Sequence, residues 1–146
     1  MKERQLASCL VSALVIACCG SAAAATSEIK GGAILEHPCG KVSVKQMGLV
    51  HAGKMEDANK LTTAEMQEDW KKMPAKDREM MSGMMKQMSA TEPDFANDIK
   101  SNGVLDVDGQ KATLTVKKTV KDKNGSSTST MTQNFRIDGN QCLVSR

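Results

Sequence analysis

The change in the spacing of apolar residues along the chain is the feature that most constrains its fold. Up to about residue 90 apolar side chains recur every three to four positions, and after Thr91-Glu92-Pro93 they alternate with polar ones. The first spacing indicates helices with one buried face, whereas alternation indicates half-buried strands. This order predicts an α+β domain in which N-terminal helices (37–90) pack on a curved antiparallel sheet formed by residues 94–146.

Three helices are predicted before this change. Pro38 begins the first, because proline lacks the N–H that the first helical turn leaves unpaired, and Gly53 ends it. Thr62 is the predicted N-cap of the second helix, and Glu65 three residues later completes a capping box. Pro74 ends this helix and begins the third.

Turn sequences divide the second half into strands. Asp108-Gly109, Asn124-Gly125 and Asp138-Gly139 are typical of tight hairpins, so they predict a meander of about four strands. The apolar residues of the second strand of this meander share one face: Ala112, Leu114, Val116 and Val120. Those of the third strand also share a face: Met131, Phe135 and Ile137.

The first 25 residues have the pattern of a targeting segment. Lys2 and Arg4 precede an apolar run, and small residues with Ala-x-Ala spacing follow it up to Ala25. We therefore expect a signal peptide at 1–25 and a single mature domain at 26–146, without a stable membrane span, in the periplasm or secreted. Alternatively, Val15-Ile16-Ala17-Cys18 resembles a lipobox, in which Cys18 would be lipidated.

The cysteine count favours the first of these alternatives. Cleavage after Ala25 leaves Cys39 and Cys142, an even number, whereas lipidation at Cys18 would leave Cys19 as an odd thiol. In an oxidising compartment two remaining cysteines predict one disulfide. Closing a loop of about 100 residues contributes up to roughly 4 to 5 kcal/mol in the chain-entropy account.

Composition and motifs exclude several classes of function. The net charge is only +3, and one Trp, two Phe and no Tyr offer few faces for stacking on bases, so nucleic acid is not an expected partner. There is no G-x-S-x-G, phosphate-binding loop or H-E-x-x-H, and neither His37 nor His51 has a nucleophile at a recognisable spacing. We predict a protein that is not an enzyme and needs no cofactor. An enzyme using acidic residues brought together by the fold remains the alternative.

The segment EMMSGMMKQM, Glu79 to Met88, holds five of the eleven methionines, and on a helix they share an arc of roughly 140°. One interpretation is that this face covers the sheet, because methionine fills irregular gaps. The predicted function is a binding or interaction module, which holds an apolar small molecule or peptide between the Met-rich helix and the sheet. The residues expected to line that site are Trp70, Met81, Met85 and Phe135. The alternative is periplasmic Cu(I) binding by four thioethers: Met81, Met84, Met85 and Met88.

A cluster of lysines lies beside the Asn124-Gly125 turn, and it consists of Lys117, Lys118, Lys121 and Lys123. It could contact an anionic envelope polymer or lipid headgroup. We favour the other interpretation, in which the charges discourage pairing of this strand with other molecules.

Three short motifs carry a resemblance to a known family. They are His51 to Ala58, Thr63-Ala64-Glu65-Met66 and Asp138 to Val144. In these the sequence resembles small exported bacterial proteins of unknown function in the nuclear-transport-factor-two-like superfamily, which are cone-shaped α+β domains. The resemblance implies one such domain over 26–146 and a homodimer formed through the open sheet face.

Two departures from this family bear on the site. Cys142 lies about where such proteins place a tryptophan, so a bond to Cys39 on the first helix would replace an aromatic plug. The isomerase-like enzymes of the superfamily combine an acidic base with a hydroxyl-bearing partner, often tyrosine, and this chain has no tyrosine. The resemblance therefore also implies a binding role rather than catalysis.

Overall fold

The computed structural model describes residues 26–123 and 125–146. The expected signal peptide, including Cys18, lies outside these residues, and so does Asn124 of the predicted hairpin turn. The chain begins with β1 (Ser27–Lys30) and a 3-10 helix (Gly31–Glu36). Five α-helices follow within the described part: α1 (Pro38–His51), α2 (Met55–Asn59), α3 (Ala64–Lys72), α4 (Ala75–Met88) and α5 (Glu92–Asn102). Four further strands complete it: β2 (Gly103–Asp108), β3 (Lys111–Asp122), β4 (Gly125–Asp138) and β5 (Gln141–Ser145).

The strands form one five-stranded antiparallel sheet in the order β1-β2-β3-β4-β5. The predicted α+β class is therefore confirmed, and β2 to β5 form the expected meander. Gly109 and Gly139 have φ values of 57° and 58°, in the left-handed region that glycine tolerates best, which explains the two Asp-Gly turns. β1 was not predicted, because its four residues contain only one apolar side chain, Ile29.

The change from helix to strand occurs at Gly103, so the prediction of strands from residue 94 was wrong. Residues 92–102 form α5 instead. Thr91 caps this helix, since its hydroxyl accepts a hydrogen bond from the Asp94 N–H at 3.3 Å. Pro93 lies in the first turn, where it favours a helix start rather than a break. Phe95 and Ile99, one turn apart, are both buried.

The start of the second predicted helix, now α3, is displaced by one residue. The N-cap is Thr63 and not Thr62, and no side chain caps it. Thr62 is buried, and its hydroxyl donates to the Asn59 carbonyl at 2.7 Å. The Thr63 N–H donates to the carbonyl of Val144 in β5 at 2.9 Å, so pairing with the sheet positions this segment. The predicted start of α1 at Pro38 and of the helix after Pro74 are both confirmed.

The core lies between one face of the sheet and the 3-10 helix, α1 and α5. Its largest fully buried side chains are Phe135, Ile34, Ile99, Leu105 and Leu114. Cys39 at the start of α1 and Cys142 in β5 are also buried there, at disulfide-bonding distance with their Cα atoms 5.0 Å apart. The predicted pair is thus brought together, and it links the first helix to the last strand. In the described part of the chain no helix is both long and apolar enough to cross a membrane.

Candidate functional site

The Met-rich helix α4 does not cover the sheet. None of its fourteen residues is buried, and it packs mainly against α1, because α1 and α5 already occupy the inner face of the sheet. Its five methionines are all exposed, from 37% at Met81 to 81% at Met88. The interpretation of this face as core filler is therefore wrong.

A cavity of about 260 Å³ lies among α1, α2, α3 and α4. Its walls are almost entirely apolar: Val50, Met55, Ala58, Met66, Trp70, Met73, Met81 and Met85. Five of the eleven methionines in the chain thus meet around one tryptophan. Because Met81 and Met85 are about two-fifths exposed, the cavity opens to solvent on the α4 side.

The structure brings three of the four predicted lining residues to this cavity. Trp70, Met81 and Met85 line it together, whereas Phe135 is only 1% exposed and belongs to the core under the sheet. The cavity is therefore enclosed by helices, and it does not lie between helix and sheet as expected. Side-chain periodicity places residues on a face of a helix, but it does not identify the element that faces them.

The four methionines of the predicted copper site are not brought together. Met81 and Met85, one turn apart, line the cavity. Met84 lies to one side of α4 and Met88 at its last residue, and neither lines the cavity. The thioethers that join Met81 and Met85 are instead those of Met55, Met66 and Met73.

These three methionines were missed from the sequence for a physical reason. Met55 lies in α2, Met66 in α3 and Met73 at the end of α3. They are spread over two helices with no local cluster to mark them, and only the packing of α2 and α3 against α4 brings them to the cavity with Met81 and Met85. The one usable signal was the position of Met66 and Met73 on the same face of α3 as Trp70, and no such signal marks Met55.

Trp70 is held in place by a polar contact at its edge. Its indole N–H donates to Glu56 Oε1 at 3.1 Å, and Glu56 Oε1 also lies 3.7 Å from Arg78 Nη1. Buried indoles usually need such a partner for the N–H, which otherwise stays unpaired. The hydrogen bond leaves the apolar ring as a fixed wall of the cavity.

A few polar groups complete the lining: Gln46, Asn59, Thr62, Asp69 and Arg146. Arg146 forms a hydrogen-bonded ion pair with Asp69 and lies 3.7 Å from Glu65, and the Asp69 contact raises the pKa of the arginine. Gln46 accepts a hydrogen bond from Gln133 of β4 at 2.6 Å. Apolar walls with a small number of placed polar groups are typical of sites for small molecules.

The histidines have local partners that account for them. The Cys39 N–H donates to Nδ1 of His37 at 3.2 Å, so this imidazole caps α1. Nδ1 of His51 lies 3.3 Å from the Ser89 carbonyl. Over residues 26–123 and 125–146 no three His, Cys, Asp or Glu side chains are grouped so that they could hold a metal ion.

No protein-family model, curated protein or solved structure matches the chain. The resemblance to the nuclear-transport-factor-two-like superfamily therefore stays a prediction.

Proposed function

We propose that this protein is a non-catalytic binding module that holds a small apolar molecule, or an apolar side chain of a peptide, in the cavity among α1 to α4. The observation that carries the proposal is the convergence of five methionines and Trp70 on one solvent-open cavity. At about 260 Å³ the cavity is slightly smaller than typical sites for drug-sized ligands, which begin near ~300 Å³. A ligand with one or two rings, or a short acyl chain, fits this size.

Methionine suits such a site better than leucine would. Its unbranched thioether adapts to irregular shapes and makes favourable contacts with aromatic rings. Met81 and Met85 are placed at the opening of the cavity, where a flexible side chain can yield to an entering ligand. A helix with no buried residue, such as α4, is also the element best able to adjust its position.

We also propose that the domain is exported and adopts the cone-shaped arrangement of the nuclear-transport-factor-two-like proteins. The order of helices followed by an antiparallel meander supports the fold. The buried pair of Cys39 and Cys142 supports an oxidising compartment, where disulfides persist.

Trp70 provides the test, because it is the only tryptophan in the chain and forms a wall of the cavity. Prodan, an apolar fluorescent probe built on one naphthalene, should quench Trp70 emission in a saturable way. Met81→Gln/Met85→Gln should weaken this binding at least about tenfold, since a bound apolar ligand would cover these amides without pairing them, at a cost on the order of 1 to 3 kcal/mol.

The matched control lies on the same helix. Met80→Gln/Met84→Gln makes the same chemical change at residues that do not line the cavity, so binding should be unaltered. Absence of saturable quenching, or an equal loss in both double variants, would contradict a ligand site here. If the site is supported, native mass spectrometry of the protein purified from its host would identify a resident molecule by its mass.

Cu(I) binding is a second candidate, and one observation favours it. Thioethers are soft ligands that suit Cu(I), and five of them line this cavity. The same two double variants test this candidate when Cu(I) is titrated against a competing chelator. A copper site in the cavity is lost with Met81 and Met85 but retained when Met80 and Met84 are changed.

A further inference from the structure

The β3–β4 hairpin extends beyond the rest of the sheet. The pairing of β2 with β3 ends at Gly103 and Val116, and the pairing of β5 with β4 ends at Ser145 and Asn134. β3 and β4 continue for six further pairs, up to Asp122 opposite Gly125. We call residues 117–130 the ribbon. At about 3.3 Å per residue its paired part is roughly 20 Å long.

Packing against the core does not account for the ribbon. Every ribbon residue whose exposure is described is exposed, and the only apolar side chain is that of Val120, which is 51% exposed. One ion pair, between Lys118 Nζ and Asp98 Oδ2 of α5 at 3.1 Å, fixes its base. Two-stranded hairpins without an apolar face are marginally stable in water, so this length contributes little to folding.

The charge of the ribbon is confined to one strand. Its one acidic residue, Asp122, and its four lysines all precede the turn, and the lysines are Lys117, Lys118, Lys121 and Lys123. On the β4 side the segment Gly125 to Gln133 carries no charged residue. If the lysines served only to prevent pairing with other chains, the free edge of β4 would need the same protection. Edge protection is therefore an incomplete explanation for them.

Two of the four lysines would lie beside the side chains of an added strand. Lys117 and Lys121 are four residues apart, so both lie on the outer face of the sheet, with Thr119 between them. Thr119 and Thr128 lie 3.0 Å apart, oxygen to oxygen, across the ribbon. Within the described residues no strand pairs with β3 beyond Val116 on the side away from β4. Backbone groups on that side are thus available to another chain.

We propose that the free edge of β3 in the ribbon binds an extended acidic segment of a partner protein by strand addition. In this mode backbone hydrogen bonds supply affinity and alternate side chains supply specificity. Residues of the added strand directly opposite Lys117 and Lys121 would have Cβ atoms about 4.5 to 5.5 Å away, where opposite charges attract. The partner is therefore an extended segment with acidic residues four positions apart on one face.

The test uses the full domain and two labelled peptides of equal charge. In the first, glutamate and threonine alternate. In the second peptide, prolines are interspersed. Because proline has no backbone N–H, this peptide cannot form the hydrogen bonds of an added strand. Fluorescence anisotropy at low ionic strength, where surface charges are least screened, should show clear preference for the first peptide. Equal binding of both peptides would overturn strand addition and indicate a simple contact with polyanions.

Variants then locate the contact. Lys117→Thr/Lys121→Thr keeps residues suited to strands and should weaken binding of the first peptide about fivefold, as expected for two lost cross-strand charge pairs. Lys45→Thr/Lys111→Thr removes the same charge outside the ribbon and should leave binding unchanged. Equal loss in the two variants, or no binding by the wild type, would overturn the proposal. Amide exchange that slows at residues 117–121 on binding would support it independently.

Discussion

The first turn of α1 combines three residues with different structural roles. His37 accepts a hydrogen bond from the Cys39 N–H, Cys39 lies at bonding distance from Cys142, and Gly40 lets the helix approach the preceding 3-10 helix. A Cβ atom added to Gly40 would lie 1.9 Å from the Ile34 carbonyl oxygen. Because the neighbour is backbone, it cannot move aside as a flexible side chain could.

Gly40→Ala should therefore destabilise the domain by about 1 to 3 kcal/mol, the usual cost of overpacking a core. Gly83→Ala is the matched control, because it also lies within an α-helix and a Cβ added there meets nothing within 4 Å. Alanine should stabilise α4 by about 0.5 to 1 kcal/mol through its higher helix propensity. Urea unfolding measures both changes, and equal effects would contradict the close contact at Gly40.

His37 should make stability depend on pH. Burial lowers the pKa of its imidazole from the ordinary value of 6.5, so the folded protein prefers the neutral ring that caps α1. The neutral ring's contribution to the free energy of unfolding is complete above pH 6.5. It is lost as the pH falls from 6.5 through the lower pKa of His37 in the folded protein. An N-cap is worth about 1 kcal/mol. Denaturant unfolding of the wild type should give a lower free energy of unfolding at pH 5 than at pH 7.5. The difference between the two pH values should be smaller in His37→Asn, because an asparagine cap does not titrate.

Among the helices and strands, α4 shows which properties of an element local sequence patterns predict and which they do not. Its limits after Pro74 and its methionine face follow from local patterns, and both are present in the structure. Its neighbour was not predictable, because periodicity does not say that α1 and α5 occupy the sheet first. The lining of the cavity was only partly predictable for the same reason. Met81 was identified as a lining residue from its methionine cluster, but Met55 and Met66 were not. α5 shows the converse: Phe95 and Ile99 had helical spacing, but Pro93 was interpreted as a break.

The exposure of α4 predicts an order of oxidation. With dilute hydrogen peroxide, Met80 and Met88 should become sulfoxides before Met81 and Met85, because accessible thioethers react first. Thermal stability should change little at that stage, since no residue of α4 is buried. Peptide mass spectrometry over time measures the order. Early oxidation of Met81 and Met85 would contradict the described orientation of α4.

For the molecule as a whole, the sequence predicted the α+β class and most of the sheet, but not β1, α5 or the packing of the helices. The Asp-Gly turns and alternation predicted four of the five strands, and cysteine parity predicted the pair that links α1 to β5. The backbone contact between Thr63 and Val144 depends on the folded chain and displaced a predicted cap by one residue. Local chemistry therefore defined the elements, while contacts between distant residues defined the site.

The link between Cys39 and Cys142 should be important for overall stability. The two residues are 103 positions apart, so their bond restricts nearly the whole unfolded domain. Cys39→Ser/Cys142→Ser should lower the free energy of unfolding by about 2 to 5 kcal/mol. Comparison of urea unfolding with and without reductant provides an independent measure. Identical curves would show that the bond does not form in solution.

The ribbon has a consequence for how the chain can change in evolution and in the laboratory. Since no ribbon residue whose exposure is described is buried, residue pairs can be removed from or added to its tip without altering the core, provided that both strands change equally and the alternation of faces is kept. The length of the ribbon beyond Lys121 is thus free to vary, whereas β3 before Val116 is constrained on both sides by neighbouring strands. The tip is accordingly the place to graft a foreign epitope or an affinity tag.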